Sequence, residues 1–448
     1  MYLPESFLSH TLHNSPLGGA VSRILAAAIN AVDPGEAVQR HVRRDGNTLF
    51  VADRPYELSA FRHVTILGVG KASLAMTGAM GVLLDPYLTD GLVVTKHASP
   101  GMDVWLPVME GGHPVPDMRS LAAGERVIEL VASLHPEDLL ICLLSGGGSA
   151  LMTVPVEGLT LADMQVVTSQ LLTCGARIDE INTLRRHLDK VKGGGLAKLC
   201  NGATVVTLIL SDVVGNALEA IASGPTAPDP TTKETARAVI SRYKMEKKLP
   251  AAVLAGLEQN PETPKPGDPV FDKGSNLIIG SNLTAAQAAL RQAENEGLHP
   301  YLLRTDQRGE ARQAAFELST ALRWAWKTGD PAPRPACIVA GGETTVTLRG
   351  DGKGGRNLEL ALAAVTELAD FPGIMLVTLA TDGEDGPTDA AGAVVTGETY
   401  RRGMALGLNP VEYLNRNDSY SYFSALDDLL RPGPTGTNVN DLTFLFTT

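Results

Sequence analysis

The chain has 448 residues, 44% of them hydrophobic, and a formal net charge of −12, with 46 glycines and 28 prolines. That length exceeds one ordinary hydrophobic core, so two or three domains are expected. Nothing supplies the concentrated positive face of a nucleic-acid binder, and no apolar run reaches the roughly 18–20 residues that span a bilayer.

The four cysteines, Cys142, Cys174, Cys200 and Cys337, lie far apart without Cys-x-x-Cys spacing, which argues against a zinc site or a disulfide framework. The start, Met-Tyr-Leu-Pro-Glu-Ser, lacks the basic and apolar regions of a signal peptide, so the cytoplasm is the expected address. Residues 18–32 place Val21, Ile24, Leu25, Ala28 and Val32 on one face and predict an opening helix. His63–Leu67, Leu92–Thr95, Leu139–Leu144 and Thr204–Leu210 then read as short buried strands, separated by helical stretches such as 119–134 and 161–174. This alternation predicts a doubly wound, Rossmann-like, mostly parallel α/β sheet.

Glycine loops punctuate the pattern. Ile66 to Ser73 follows a strand and opens a helix; it half-matches a dinucleotide fingerprint, with Gly68 and Gly70 but Ser73 at the third position. Lys71 adds a point charge to the backbone donors at that helix start. His113, in Gly111-Gly112-His113-Pro114-Val115-Pro116-Asp117, reads as a turn residue, with a proton shuttle as the alternative. Between the strand 139–144 and Ala150 lie Ser145, Gly146, Gly147, Gly148 and Ser149, where absent Cβ atoms let backbone N–H groups approach an anion. Asn182 to Ala197 reads as a helix carrying Arg185, Arg186, Lys190 and Lys192 into Gly193-Gly194-Gly195, a second candidate anion loop. Asp212 stands at the carboxyl end of a strand, placed to orient a hydroxyl, hold a metal or cap the next helix.

Pro250, Pro261, Pro264, Pro266 and Pro269 interrupt the rhythm and place the main boundary, giving domains 1–260 and 270–448. The second is read as a smaller α/β domain, with strands Asn276–Gly280, Ala336–Ala340 and, as the last clear one, Ile374–Ala380, and helices over 283–296 and 308–327. It carries Gly341-Gly342-Glu343-Thr344, a glycine-and-base cluster with Lys353 and Arg356, and the acids Asp382, Asp385 and Asp389. Three acids on a glycine loop can bind Mg²⁺, or form a solvated acidic loop. Arg356 offers a fork that suits carboxylate or phosphate.

Taken together these segments resemble the class II glycerate 2-kinases. The resemblance rests on Gly68 to Ser73, Gly111 to Asp117, Leu144 to Met152, Ile181 to Gly194, Ser211 to Gly215, Ala222 to Thr226, Gly341 to Glu343, Gly354 to Glu359, Thr381 to Gly392, and Gly433 to Asp441, in the same order from about residue 18 to the C-terminus. Gly195 and Asp189 depart from the pattern, where a larger polar residue and Ser are commoner.

The resemblance implies transfer of the γ-phosphoryl of ATP to the 2-hydroxyl of D-glycerate, with Mg²⁺, by a larger doubly wound domain and a smaller C-terminal MOFRL domain flanking the active-site cleft. It assigns Lys71 and Arg356 to stabilising the phosphoryl group and Asp212 to orienting or deprotonating the hydroxyl. Arg185 and Lys192 would grip carboxylate or phosphates, with Gly70, the 145–149 loop, Gly193, Gly194 and Glu343 around the guests. Asp382, Asp385 and Asp389 would be the metal candidates. No nucleic-acid or membrane partner is expected, and a homodimer is left open. Two rivals stand: an NAD(P)H-dependent hydroxypyruvate reductase and a non-catalytic sugar-acid binder. The reductase lacks the third glycine, and Asp85 and Asp90 sit in a turn-like stretch unsuited to holding a ribose.

Overall fold

In the computed structural model, which describes residues 1–98 and 105–448, the apolar run Leu139–Leu144 is a strand with every residue buried. Unbroken apolar runs suit the middle of a parallel sheet, because helices cover both faces. In chain order the strands of the first sheets are β1 (Val42–Asp45), β2 (Thr48–Val51), β3 (Arg54–Glu57), β4 (Val64–Val69), β5 (Leu88–Thr95), β6 (Val108–Glu110), β7 (Leu139–Leu144), β8 (Thr204–Leu210) and β9 (Gly274–Gly280). The first three form a small antiparallel sheet. The other six lie in the order β6-β5-β4-β7-β8-β9, and the pairings from β6 to β8 are parallel. The chain thus builds outward from β4 to one side and from β7 to the other. Between β4 and β7 lies the topological switch point, whose carboxyl edge is where open α/β sheets hold ligands.

The second six-stranded sheet comprises β10 (His299–Gln307), β11 (Ala336–Gly342), β12 (Ile374–Ala380), β13 (Gly392–Thr396), β14 (Leu429–Leu430) and β15 (Asp441–Thr447). Its order is β10-β11-β15-β12-β13-β14, with β10 and β11 parallel and the remaining pairings antiparallel. The last strand is fully buried in the centre of this sheet, although the sequence reading placed the last clear strand at Ile374–Ala380.

The compact units are 34–279 and, discontinuously, 1–33 with 280–448. This differs from the expected division into 1–260 and 270–448. The prolines mark a break in rhythm, but they carry no information about where the opening helix docks. That helix, Gly18–Asn30, buries Val21, Ile24, Leu25 and Ala28 and packs on the helix Asn282–Asn295. The partner helix offers Ala285, Ala286, Ala289 and Ala293, whose small side chains admit close approach. Arg23 donates to both Glu296 oxygens, at 2.7 and 2.6 Å, and Thr437 Oγ1 donates to the Val32 carbonyl at 2.7 Å. Among the described residues no helix is long and apolar enough to cross a membrane.

Ile24→Ala is expected to destabilise the unit of residues 1–33 and 280–448 by about 2–5 kcal/mol. Hydrogen exchange should show the lost protection in Asn282–Asn295, and not in β4 or β7.

Candidate active site

At the switch point two chain segments meet with no room for a Cβ. Gly70 follows β4 with φ +131°, and a Cβ there would lie 2.2 Å from Ser145 Oγ. The Lys71 N–H donates to the Gly146 carbonyl at 3.0 Å, tying the β4 loop to the β7 loop. The Ala72 N–H donates to Ser145 Oγ at 3.0 Å, so this buried hydroxyl accepts from the backbone just before the helix Ser73–Leu84 and ties the two loops together.

The three following glycines each meet a different neighbour. A Cβ on Gly146 would lie 2.1 Å from Asp212 Oδ2, and one on Gly148 would lie 2.8 Å from the Ala222 Cβ. Gly147 has φ +89°, and its missing Cβ faces His113 Cδ2 at 3.1 Å and Lys71 Cγ at 3.5 Å. The loop therefore carries the Asp212 carboxylate against Gly146, and His113 and Lys71 against Gly147. Lys71 is exposed, and among the described residues no carboxylate pairs with its ammonium.

His113, read from the sequence as a turn residue, is a site neighbour that the residue pattern undervalued. The Gly112 N–H donates to Asp117 Oδ1 at 3.1 Å and to Ser120 Oγ at 2.9 Å, which holds the turn that delivers the ring. Burial, reinforced by Lys71 and Lys96, pushes its pKa down to about 4. The imidazole is neutral at neutral pH and adds hydrogen-bonding capacity without charge.

The basic segment divides. Lys192 is buried, and its ammonium donates to the Met152 carbonyl at 3.1 Å, to Thr153 Oγ1 at 3.0 Å and to Asp189. Burial lowers its pKa against the opposing pull of Asp189. Lys192 thus has its ammonium engaged within the fold, in a buried ion pair with Asp189, where the sequence reading expected a grip on substrate. The Gly193 and Gly194 N–H groups donate to the Ser223 and Gly224 carbonyls at 3.0 and 2.7 Å. They brace a turn instead of seating an anion, a correction to the sequence reading. That turn holds Ala222, Ser223 and Gly224 at φ +50°, +60° and +64°. Side chains there cost about 1–2 kcal/mol per residue. The Ser223 hydroxyl reaches Ser149 Oγ at 2.7 Å, linking the strained turn to the glycine loop. Among the described residues Arg185 makes one long hydrogen bond, to Asn182 Oδ1 at 3.5 Å, while burial works against its charge and Asp189 favours it.

In the other unit, Arg356 opens the helix Arg356–Glu367. Its Nε donates to Asp441 Oδ2 at 2.5 Å, and its Nη1 to Glu343 Oε1 at 2.6 Å. Burial opposes the charge, but Asp441, Glu343 and Asp385 outweigh it and raise the guanidinium's pKa. The Asp441 partner was not singled out from the sequence. Arg356, Glu343, Asp382 and Asp385 line one cavity of about 640 Å³.

The acids do not assemble as a metal site. Asp385 is buried and accepts from the Asn357 and Leu358 N–H groups at 3.0 and 2.8 Å. It satisfies the start of the Arg356 helix, and burial lifts its pKa to about 6. Asp389 instead accepts from Tyr420 Oη at 2.7 Å and pairs with Arg431 at 3.4 Å. Among the described residues no group of three or more His, Cys, Asp or Glu side chains could hold a metal ion. The expected Mg²⁺ set Asp382, Asp385 and Asp389 is therefore not supported by the residues present.

Loops without Cβ atoms at the switch point of a parallel sheet define an open α/β protein whose carboxyl edge is the place for a ligand site. Residues 20–258 match the family described as a domain of unknown function, DUF4147, and residues 336–441 match the MOFRL family. A glycerate 2-kinase of Pyrococcus horikoshii is 38% identical, the match covering 95% of this chain and 96% of that protein. The crystal structure of a glycerate kinase from Thermotoga maritima superposes with TM-score 0.85 at 38% identity, covering 95% of this chain and 98% of that one. A hydroxypyruvate reductase name attaches to an Agrobacterium vitis relative that is 38% identical over 98% of this chain and 97% of its own. The chain belongs to the glycerate kinase family that joins a DUF4147 domain to a MOFRL domain.

Lys192→Met leaves Asp189 buried without its cation and is expected to cost about 3–5 kcal/mol of stability in urea unfolding. A lysine that gripped substrate would instead raise KM and leave the unfolding midpoint unchanged.

Proposed function

We propose that this protein phosphorylates D-glycerate at its 2-hydroxyl with ATP, giving 2-phosphoglycerate and ADP. The observation that carries the reading is the switch-point cluster, in which the exposed Lys71 and the Asp212 carboxylate lie against adjacent glycines of one loop. Phosphoryl transfer asks mainly for positioning and charge stabilisation, with little covalent work by the protein. Lys71 supplies a cation for the transferring group, and Asp212 orients the hydroxyl and receives its proton. Gly147, Gly148 and Ser149 bring backbone within reach of an anionic guest, and neutral His113 adds a hydrogen-bonding group beside Lys71.

Arg356 is assigned to stabilising phosphoryl charge in its own unit. Its firm partner is Asp441, whose side chain is 11% exposed, while Glu343 at 44% is the exchangeable one. An exposed pair of that kind contributes little, so Glu343 can yield its place to an incoming anion. Among the described residues Asp382, Asp385 and Asp389 form no magnesium site.

Lys71→Ala is expected to lower kcat by on the order of 10²–10³ while the chain stays folded; a loss of about tenfold or less demotes Lys71. Coupling the product to enolase without a mutase reads out the 2-phosphate directly. NADH oxidation with hydroxypyruvate, and no ADP from D-glycerate, would instead establish the reductase.

A further inference from the structure

Ala222, Ser223 and Gly224 hold positive φ at +50°, +60° and +64° in succession. At position 224 a side chain is shut out, because a Cβ would lie 2.9 Å from Glu219 Cα. Glycine would hold the same conformation without strain at position 223, yet a serine stands there, fully buried. The backbone duties of that residue do not need its side chain. Its N–H donates to the Ala220 carbonyl at 3.2 Å, and its carbonyl accepts from the Gly193 N–H at 3.0 Å. What the side chain adds is one hydrogen bond, with Ser149 Oγ at 2.7 Å. Strain kept for a single contact points to a use beyond holding the turn.

The direction of that bond follows from hydrogen-bond accounting. Among the described residues Ser149 Oγ is the one hydrogen-bond partner of the Ser223 hydroxyl. Leaving a fully buried O–H unsatisfied is costly, so Ser223 donates and Ser149 accepts. The hydroxyl hydrogen of Ser149 is thereby turned away from Ser223, and it has no second partner among the described residues. Ser149 is half-buried, and it closes the loop whose Gly147 faces Lys71 and His113. Its hydrogen is left to a guest of that loop.

We propose that Ser223 is a positioning residue for phosphoryl transfer, fixing the Ser149 hydroxyl as a donor to an anionic oxygen of one of the two substrates. The assignment rests on the phosphorylation reading and adds to it a residue that acts through Ser149 and touches neither substrate. A freely rotating Ser149 would in part donate to Ser223 and present lone pairs to the guest, which repel an anionic oxygen. Donation from Ser223 removes that orientation and polarises the Ser149 O–H. Donors aimed in advance contribute most where negative charge develops. Carboxylate and phosphate oxygens share this chemistry, and the two Michaelis constants tell their sources apart.

The test is a double-mutant cycle on the full chain with Ser223→Ala, Ser149→Ala and the two combined. Alanine already occupies positive φ at position 222, so Ser223→Ala keeps the turn; Ser223→Gly is the second variant and relaxes it. Ser149→Ala is expected to lower kcat/KM by about 10- to 100-fold, and Ser223→Ala by about 5- to 30-fold. The combined variant should match Ser149→Ala within about twofold, because Ser223 acts through Ser149 alone. Ser223→Gly should lose as much activity as Ser223→Ala while its urea unfolding midpoint is no lower. A raised KM for D-glycerate alone identifies the sugar acid as the guest, and a raised KM for ATP alone identifies the nucleotide. A fall in kcat with both constants unmoved identifies the transferring phosphoryl group.

Full activity of Ser223→Ala overturns the assignment. So do losses that multiply in the combined variant, or activity that falls only in step with the unfolding midpoint; these mark a serine that merely holds the turn. If the parent releases no ADP from D-glycerate, the phosphorylation reading fails by itself, and the cycle is read on the thermal shift given by D-glycerate or ATP. A shift reduced by each single change and no further by both retains the role of Ser223. Multiplying reductions, or no shift in the parent with either compound, sink it.

Discussion

Where β4 and β7 end, the chain has no space for a Cβ, and the rest of the switch point follows from that exclusion. Gly70 lets the Ser145 hydroxyl reach the start of the helix Ser73–Leu84. Gly146 lets the Asp212 carboxylate lie directly on the loop, and Gly147 admits His113 and Lys71. Four chemically different groups are placed by the absence of three side chains. The strained turn at Ala222-Ser223-Gly224, held through Gly193 and Gly194, closes the far side at Gly148.

The handling of positive charge separates structural from functional cations. The chain carries a net charge of −12, so a cation left without a carboxylate is informative. Lys192 is locked by Asp189 and Arg186 by Asp229, both pairs buried. Arg356 holds two carboxylates on its fork. Lys71 and Arg185 have no such partner among the described residues, and both belong to the surroundings of the 145–149 loop. Stability forgone at such positions is a common companion of binding and catalysis.

Much of the fold was legible because fully buried parallel strands announce themselves as unbroken apolar runs. Leu139–Leu144 and Thr204–Leu210 are strands with the bounds read from the sequence. What local pattern could not reveal was long-range. The opening helix was legible as a helix, but its docking on Asn282–Asn295 depends on a contact more than two hundred residues away in sequence. The central strand Asp441–Thr447 was missed, since a short segment at the end of the chain lacks the flanking helices that framed the others. At the site, residue type picked out the glycine loops and Lys71, which the structure brings together beside Asp212 and His113. It could not distinguish Arg185 from Lys192, because both are cations on one basic stretch and only Asp189 decides between them. Nor could composition show that Asp385 points into a helix start while Asp389 turns to Tyr420 and Arg431.

The central claim is that Asp212 acts from a position fixed by the missing side chain of Gly146. Gly146→Ala inserts a Cβ 2.1 Å from Asp212 Oδ2, the far end of a side chain that can swing away. The direct measurement is kcat with saturating D-glycerate and ATP beside the urea unfolding midpoint of the same variant. A fall of about 10²-fold in kcat, with the midpoint nearly unmoved, is the expected result. Full activity with the carboxylate displaced would contradict it.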